Sequence, residues 1–368
     1  MIKFPDYDRS ILSIASSVLN YFGVTDCKHK TLPELDELLN KNYKNVIVML
    51  FDGMGTSVLE KHLKEDDFLR QHHIADISSV FPSTTVASLT AIESGYSPLE
   101  TGWLGWDLYF DEIGENATTF YNTLQRNGEP AAEYNVPQKY IPHKSIFQRI
   151  EGIKGKKTAY CVSAFSKYHS KSVPDICKTV YRLSKKRKQK YIYTYWHQPD
   201  NAMHEYGVDS LQANNEIELI NQEVQKLCKK LKNSLVIITA DHGQINCSNE
   251  YLEDYPALTD MLKIPPSIEP RAVSFFVKDG KNKDFQKEFN KIFGEAFRLM
   301  SKEEVFSEHL FGYGNPHHKT KDFVGDFLAV ATSNVILNSN RSDFEAIGGH
   351  AGLTAEEMTV PFIAFEVK

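Results

Sequence analysis

Two short segments, Val46–Phe51 (VIVMLF) and Leu235–Ala240 (LVIITA), are apolar almost without interruption and rich in β-branched residues. A strand with one wet face alternates polar and apolar side chains, whereas a strand without alternation must be covered on both faces. Helices on two sides of one sheet are therefore required. Further strand patterns fall at Asn45–Phe51, taking in the first of these segments, and at Lys157–Ala164, Lys190–Trp196 and Pro361–Val367. Helical patterns lie between them at Ser57–Leu63, Val86–Glu93 and Ser210–Leu231, the last repeating Leu211, Ile217, Ile220, Val224, Leu227 and Leu231 on one face. Strands alternating with helices predict an α/β fold, doubly wound, with a largely parallel central sheet.

Between Pro265 and Lys321 the pattern changes. A strand-like Arg271–Val277 precedes charged amphipathic helices near Lys283–Phe297 and Lys302–Leu310. This stretch, 265–321, reads as a small α+β insertion or cap, leaving 1–264 and 322–368 as one main α/β domain. The chain carries 42 Lys plus Arg against 48 Asp plus Glu, a formal net charge of -6. Such a balance lacks the cationic field that a nucleic-acid partner needs. Five cysteines stand apart with no C-x-x-C pair, so neither a disulfide framework nor a thiolate zinc site is expected. The first apolar residues, Ile11, Ile14, Ala15, Val18, Leu19 and Phe22, have helical spacing rather than the unbroken run of a signal peptide. A cytoplasmic setting without a membrane partner is the expectation.

In open α/β sheets ligands bind beyond the carboxyl ends of the strands. Asp52 follows the first central strand, Asp200 and His204 follow Lys190–Trp196, and Asp241-His242 follow Leu235–Ala240. His350 sits in the turn Gly348-Gly349-His350-Ala351-Gly352 before the last strand. Any one of these is an ordinary turn residue. Three carboxylates at one sheet edge, however, would repel one another unless cations lay between them. Histidine and aspartate donors without thiolates suit Zn²⁺ best, with Mn²⁺ or Fe as alternatives. The hydroxyl-rich junction Phe81-Pro82-Ser83-Thr84-Thr85 opens the next helix. Thr84 or Thr85 either caps that helix or supplies a hydroxyl where a helix N-terminus would stabilise an alkoxide and a phosphate.

Taken together, Asp52 in LFDGMG, Thr85 in FPSTT, Asp200 and His204 in QPDNAMHEYG, Asp241 and His242 in ITADHGQ, and His350 in GGHAG resemble the alkaline phosphatase superfamily, in its nucleotide pyrophosphatase and type I phosphodiesterase branch. The resemblance implies two divalent metal ions, one held by Asp200, His204 and His350 and the other by Asp52, Asp241 and His242 with the Thr85 oxygen. It implies Thr85 as the nucleophile, three positions after the proline, and a small phosphate ester as substrate. Two positions depart from the family: Ser88 stands where an asparagine is usual, and Met203 where a glycine precedes the metal histidine. No C/S-x-P-x-R motif of the sulfatases is present. Phosphodiester or nucleotide pyrophosphate hydrolysis is the leading expectation. The same metal set also serves phosphomonoesterases and phosphonate hydrolases, and a non-hydrolytic nucleotide binder built on Gly53-Met54-Gly55 would leave the carboxylates unexplained.

Overall fold

The computed structural model describes residues 1–341 and 345–368. Its central sheet has six strands: β1 (Asn45–Phe51), β2 (His73–Ser78), β3 (Ala159–Val162), β4 (Lys190–Trp196), β5 (Ser234–Thr239) and β6 (Thr359–Val367). They lie in the order β2-β6-β5-β1-β4-β3. β1 pairs in parallel with both β4 and β5, and β3 in parallel with β4, while β6 runs antiparallel to its neighbours β5 and β2. Every residue of β1 and β5 is buried, as their unbroken apolarity requires. The reversed β6 was not readable from its sequence, since apolar content does not encode strand direction.

Helices cover the sheet where their apolar stripes dictate. Leu211–Cys228 buries Ala213, Ile217, Ile220, Val224 and Leu227. The helix Thr85–Ser94 is buried along nearly its whole length and ends on Gly95 at φ 74°, the left-handed cap that glycine tolerates. Among the described residues no helix is long and apolar enough to cross a membrane.

A second, seven-stranded sheet is larger than the expected 265–321 insertion. Its strands are Phe297–Ser301, Phe327–Ala331, Ala272–Phe275, Ser267–Glu269, Asp107–Phe110, Glu115–Thr118 and Thr123–Leu124, in that spatial order and antiparallel throughout. Three strands thus come from 107–124, tied in by the pairing of Ile268 with Asp107. These strands are only two to four residues long, too short to announce so distant a partner. Period-two alternation gives the sheet two cores. Val273, Phe275, Phe327 and Ala329 face the helix Asn282–Phe293 through Phe285, Phe289 and Phe293. Ala272, Leu328, Val330 and Ile268 face the other way, onto Phe81, Val86 and Leu104 beside the candidate site. The expected helix to Phe297 stops at Phe293, and Phe297 begins a strand instead.

Candidate active site

β1, β4 and β5 run in parallel, so their carboxyl ends open at one edge of the sheet. Asp52 leaves β1 there, Asp241 and His242 leave β5, and Asp200 opens the short helix Asp200–Tyr206 after β4. Gly53 makes the approach of these ends possible. It adopts φ 71°, and a Cβ on it would lie 3.1 Å from the Asp200 Cα and 2.9 Å from the Met203 Cε. Its N–H donates to Asp241 Oδ1 at 3.0 Å. Met203, the departure from the family pattern, is fully buried in the space that this glycine leaves.

The donor atoms converge. Asp52, Asp241 and His242 offer ligand atoms within 4.8 Å of one another, and so do Asp200, His242 and His350. His204 Nε2 stands 3.3 Å from Asp200 Oδ1, and His350 Nε2 stands 3.9 Å from the same oxygen. Each histidine is oriented by a backbone carbonyl. His204 Nδ1 donates to Gly348 O at 2.7 Å, His242 Nδ1 to Gly243 O at 3.0 Å and His350 Nδ1 to Ser83 O at 3.1 Å. A carbonyl can only accept, so Nδ1 carries the proton in all three and the Nε2 lone pairs are left for a ligand. Among the described residues Asp200 Oδ1 and Asp241 Oδ2 are buried without a hydrogen-bond partner. Burial and the nearby Asp241 and Asp200 push the Asp52 carboxyl well above the usual carboxylate range. Burial likewise drives His350 well below the usual imidazole range, with His242 adding to it. Burial would push Asp200 up as well, but His204, His350 and His242 outweigh it and hold it low. Orphaned carboxylate oxygens facing imidazole Nε2 atoms form a donor set that fits divalent cations.

Thr85 is the first residue of its helix. Its Oγ1 lies 3.5 Å from Asp52 Oδ1 and 3.3 Å from His242 Nε2. Thr84 is the N-cap residue, yet its hydroxyl makes no capping bond and donates instead to Glu269 Oε1 at 2.7 Å. The first intrahelical bond is from Ser88 N to Thr84 O. The N–H groups of Thr85, Val86 and Ala87 therefore have no helical acceptor, which is the arrangement that receives an anion. Ser88 itself is buried 3.1 Å from Ser79 Oγ and does not face the site.

Four residues absent from the sequence reading support this centre. Tyr195 donates to Asp52 Oδ2 at 2.5 Å, a contact set by the register that pairs Leu50 with Tyr195. Glu269 accepts from Thr84 and from the Trp106 N–H at 2.8 Å, and burial pushes its carboxyl up to about 7. Arg271 and Glu357 form a buried bidentate pair, and Glu357 also holds Gly352 N at 2.8 Å in the turn bearing His350. Only Tyr195 left a trace in sequence, as a polar tip near the end of a central strand. The stretch Trp103–Phe110 is largely core: Trp103, Leu104, Leu108 and Phe110 are buried. His317-His318 lies in a loop, His317 N donating to Leu99 O at 2.9 Å, and the basic segment Lys185-Lys186-Arg187-Lys188-Gln189-Lys190 ends in a buried Lys190 whose ammonium donates to Asn45 Oδ1 at 2.9 Å.

A doubly wound sheet whose carboxyl edge carries clustered aspartates and histidines against a helix-borne threonine defines a metal-dependent phosphoester hydrolase of the alkaline phosphatase superfamily. The model of the type I phosphodiesterase / nucleotide pyrophosphatase family matches residues 46–353, and the chain belongs to that family. Among solved structures it is similar to human ectonucleotide pyrophosphatase/phosphodiesterase 5, at 19% identity over 87% of each chain and a TM-score of 0.64. It is similar to the murine protein at 18% identity over 87% of each chain with the same TM-score. It also resembles phosphonoacetate hydrolase from Sinorhizobium meliloti 1021, at 17% identity over 88% of this chain and 90% of that one, with a TM-score of 0.65.

Proposed function

We propose that this chain hydrolyses phosphodiesters or nucleotide pyrophosphates with two divalent metal ions, Zn²⁺ first and Mn²⁺ second, and with Thr85 as nucleophile. The observation that carries the reading is the Thr85 hydroxyl at the free N-terminus of its helix, 3.3 Å from His242 Nε2 and beside Asp52. In the pairing that the family resemblance implies, Asp200, His204 and His350 hold one ion, and Asp52, Asp241 and His242 hold the other. Such ions supply charge that lowers the hydroxyl pKa and offsets the charge developing on the reacting oxygens. Thr85 Oγ attacks phosphorus in line as its proton passes to solvent, the O–P bond forming while the bond to the leaving oxygen breaks and that oxygen departs with its ester group as the first product. The free N–H groups at the helix start receive the non-bridging oxygens. Water then cleaves the phosphothreonine ester and restores the hydroxyl. Murine ectonucleotide pyrophosphatase/phosphodiesterase 5 is known in complex with AMP, and the Sinorhizobium hydrolase with phosphonoacetate, so both ester and phosphonate substrates are represented among similar folds.

The test is turnover of bis-p-nitrophenyl phosphate, p-nitrophenyl phosphate and phosphonoacetate by the metal-loaded protein and by Thr85→Ala. Diester preference, abolished in the variant, is the expected outcome. A higher kcat/KM for the monoester or the phosphonate, or full activity in Thr85→Ala, refutes the proposal.

A further inference from the structure

The residue before the nucleophile is a threonine at a helix N-cap that does not cap. A threonine hydroxyl in this position ordinarily accepts from the second or third N–H of the helix, here that of Val86 or Ala87. Thr84 Oγ1 makes no such bond among the described residues and donates instead to Glu269 Oε1 at 2.7 Å. A hydroxyl can donate and accept at once, so the missing cap is a matter of direction. Glu269 draws Oγ1 away from the helix start, and the N–H groups of Thr85, Val86 and Ala87 stay open.

The carboxylate that does this is delivered against resistance from the backbone. Glu269 ends the strand Ser267–Glu269 and reaches Thr84 from 185 residues further along the chain. Its Oε1 also accepts the Trp106 N–H at 2.8 Å, so a single oxygen joins the helix start to the loop that enters the second sheet. Ile268, directly before it, lies at φ 75°, a left-handed value that a β-branched residue resists. Ile268 is 1% exposed and is fixed by pairing with Val273 and with Asp107. Strain of this kind persists only where the surroundings over-determine it, and it gathers at functional sites. The Ile268 side chain packs in the same cluster as Val86, so the strand backs the helix while its last residue holds the cap hydroxyl.

We propose that Glu269 is a positioning residue for the phosphate receptor: by holding the Thr84 hydroxyl it keeps the first N–H groups of the helix free for the non-bridging oxygens of the substrate. This role rests on the phosphoester hydrolase reading for the identity of the anion, and deepens it by naming what keeps the receptor open. Without Glu269, Thr84 becomes an ordinary cap, and its Oγ1 takes an N–H that the phosphate needs. An N–H bond to phosphate is charge-assisted and about twice as strong as a neutral one, so its loss registers in binding.

The test compares the Zn²⁺-loaded full chain with Glu269→Leu, Glu269→Gln and Glu269→Leu/Thr84→Val. Calorimetric titration with inorganic phosphate reads the receptor, and nuclear magnetic resonance reads amide exchange at Val86 and Ala87 before phosphate is added. In Glu269→Leu phosphate affinity should fall about tenfold, and exchange at Val86 or Ala87 should slow about tenfold as the cap forms. Glu269→Gln keeps an oxygen acceptor and should stay within about threefold of the unaltered chain in both readouts. Thr84→Val removes the competing hydroxyl, so the double variant should recover most of the affinity that Glu269→Leu loses and return exchange to its starting rate. A merely structural role gives the opposite, a double variant no better than Glu269→Leu. That result overturns the proposal, as does a phosphate affinity unchanged in Glu269→Leu. If Glu269→Leu does not fold, Glu269→Asp, whose carboxylate is withdrawn by one methylene, takes its place with the same expectations. If the unaltered chain binds no phosphate, the hydrolase reading fails, and the exchange rates decide Glu269 alone. Slowing in the single variant that Thr84→Val removes then supports the diverted cap, and exchange that does not change overturns it.

Discussion

Replacing Arg271 by methionine would remove a guanidinium that holds two parts of the molecule together. Arg271 lies next to the second sheet at 1% side-chain exposure, and Glu357 opposite it is fully enclosed. Nε and Nη2 donate to the two carboxylate oxygens at 2.8 and 2.7 Å, while Nη1 and Nη2 reach Val335 O and Ser333 O, each at 2.7 Å. Methionine fills much of the same volume and leaves a carboxylate and two carbonyls without their donor. Breaking one side of such a buried pair costs about 3–5 kcal/mol. With an unfolding entropy of about 2.1 cal/mol/K per residue, 368 residues give roughly 0.8 kcal/mol/K, so the melting temperature should fall by about 5 °C.

The loss should also reach the site. Glu357 accepts from Gly352 N and from the Thr354 hydroxyl, and these bonds close the turn in which Ala351 is held at φ 91°, a strained value for a residue with a Cβ. His350 precedes that residue. Releasing the turn should weaken metal affinity about 10- to 100-fold, as losing an outer support of a ligand histidine typically does. Differential scanning calorimetry and a competitive zinc-chelator titration on Arg271→Met read the two effects. A melting temperature within about 1 °C of the unaltered protein, or a coupling energy below about 0.5 kcal/mol in the Arg271→Met/Glu357→Gln cycle, would refute the clamp.

Three further outcomes are expected. Exhaustive chelation should abolish diester turnover, and Zn²⁺ or Mn²⁺ should restore it; elemental analysis should find about two ions per chain, whereas turnover that survives chelation contradicts the metal assignment. Tyr195→Phe removes the donor to Asp52 Oδ2 without changing shape, so it should lower metal affinity about tenfold and leave the far-ultraviolet circular dichroism unchanged; equal affinity would show that the contact is idle. Glu93 has a folded-state pKa of about 7 against an ordinary 4.5. The native state therefore keeps a proton that the unfolded chain has lost between these values, and stability falls as pH rises through that window, by about 3 kcal/mol. Urea unfolding at pH 5 and pH 8 should show this loss in the ligand-free protein, and a Glu93→Gln variant with the same pH dependence would disprove the assignment.

The central sheet was legible because β1 and β5 are buried on both faces and so cannot hide their apolarity behind alternation. The residues at the sheet edge were legible only jointly: any one aspartate there is an ordinary turn residue, whereas three beyond neighbouring strand ends would repel one another without cations between them. What stayed hidden depends on pairing between distant segments. The Ile268–Asp107 bridge, the Thr84–Glu269 bond and the Arg271–Glu357 pair each join residues far apart in the chain, through single short contacts without a periodic signal. The expected insertion at 265–321 failed to include its partners at 107–124 for that reason. The ambiguity between Thr84 and Thr85 had the same source, because the two hydroxyls look alike until Glu269 is seen to occupy that of Thr84.

Burial alone does not mark chemistry in this molecule, as its cysteines demonstrate. Burial pushes the thiols of Cys161, Cys177 and Cys228 up to about 12, Lys230 only weakly opposing it at Cys177, and among the described residues none joins a metal donor set, so they behave as small apolar side chains. The carboxylates differ because their cost is not relieved within the chain. Among the described residues Asp200 Oδ1 and Asp241 Oδ2 have no hydrogen-bond partner, and Asp52 faces two like charges. Each would be replaced at a gain in stability if folding were the sole requirement. The three aspartates converge at the carboxyl edge of the sheet, where Asp52 Oδ1 lies 3.5 Å from the hydroxyl of Thr85 at the start of its helix. Divalent ions would relieve that charge by filling the space between the carboxylates and the imidazoles of His242 and His350.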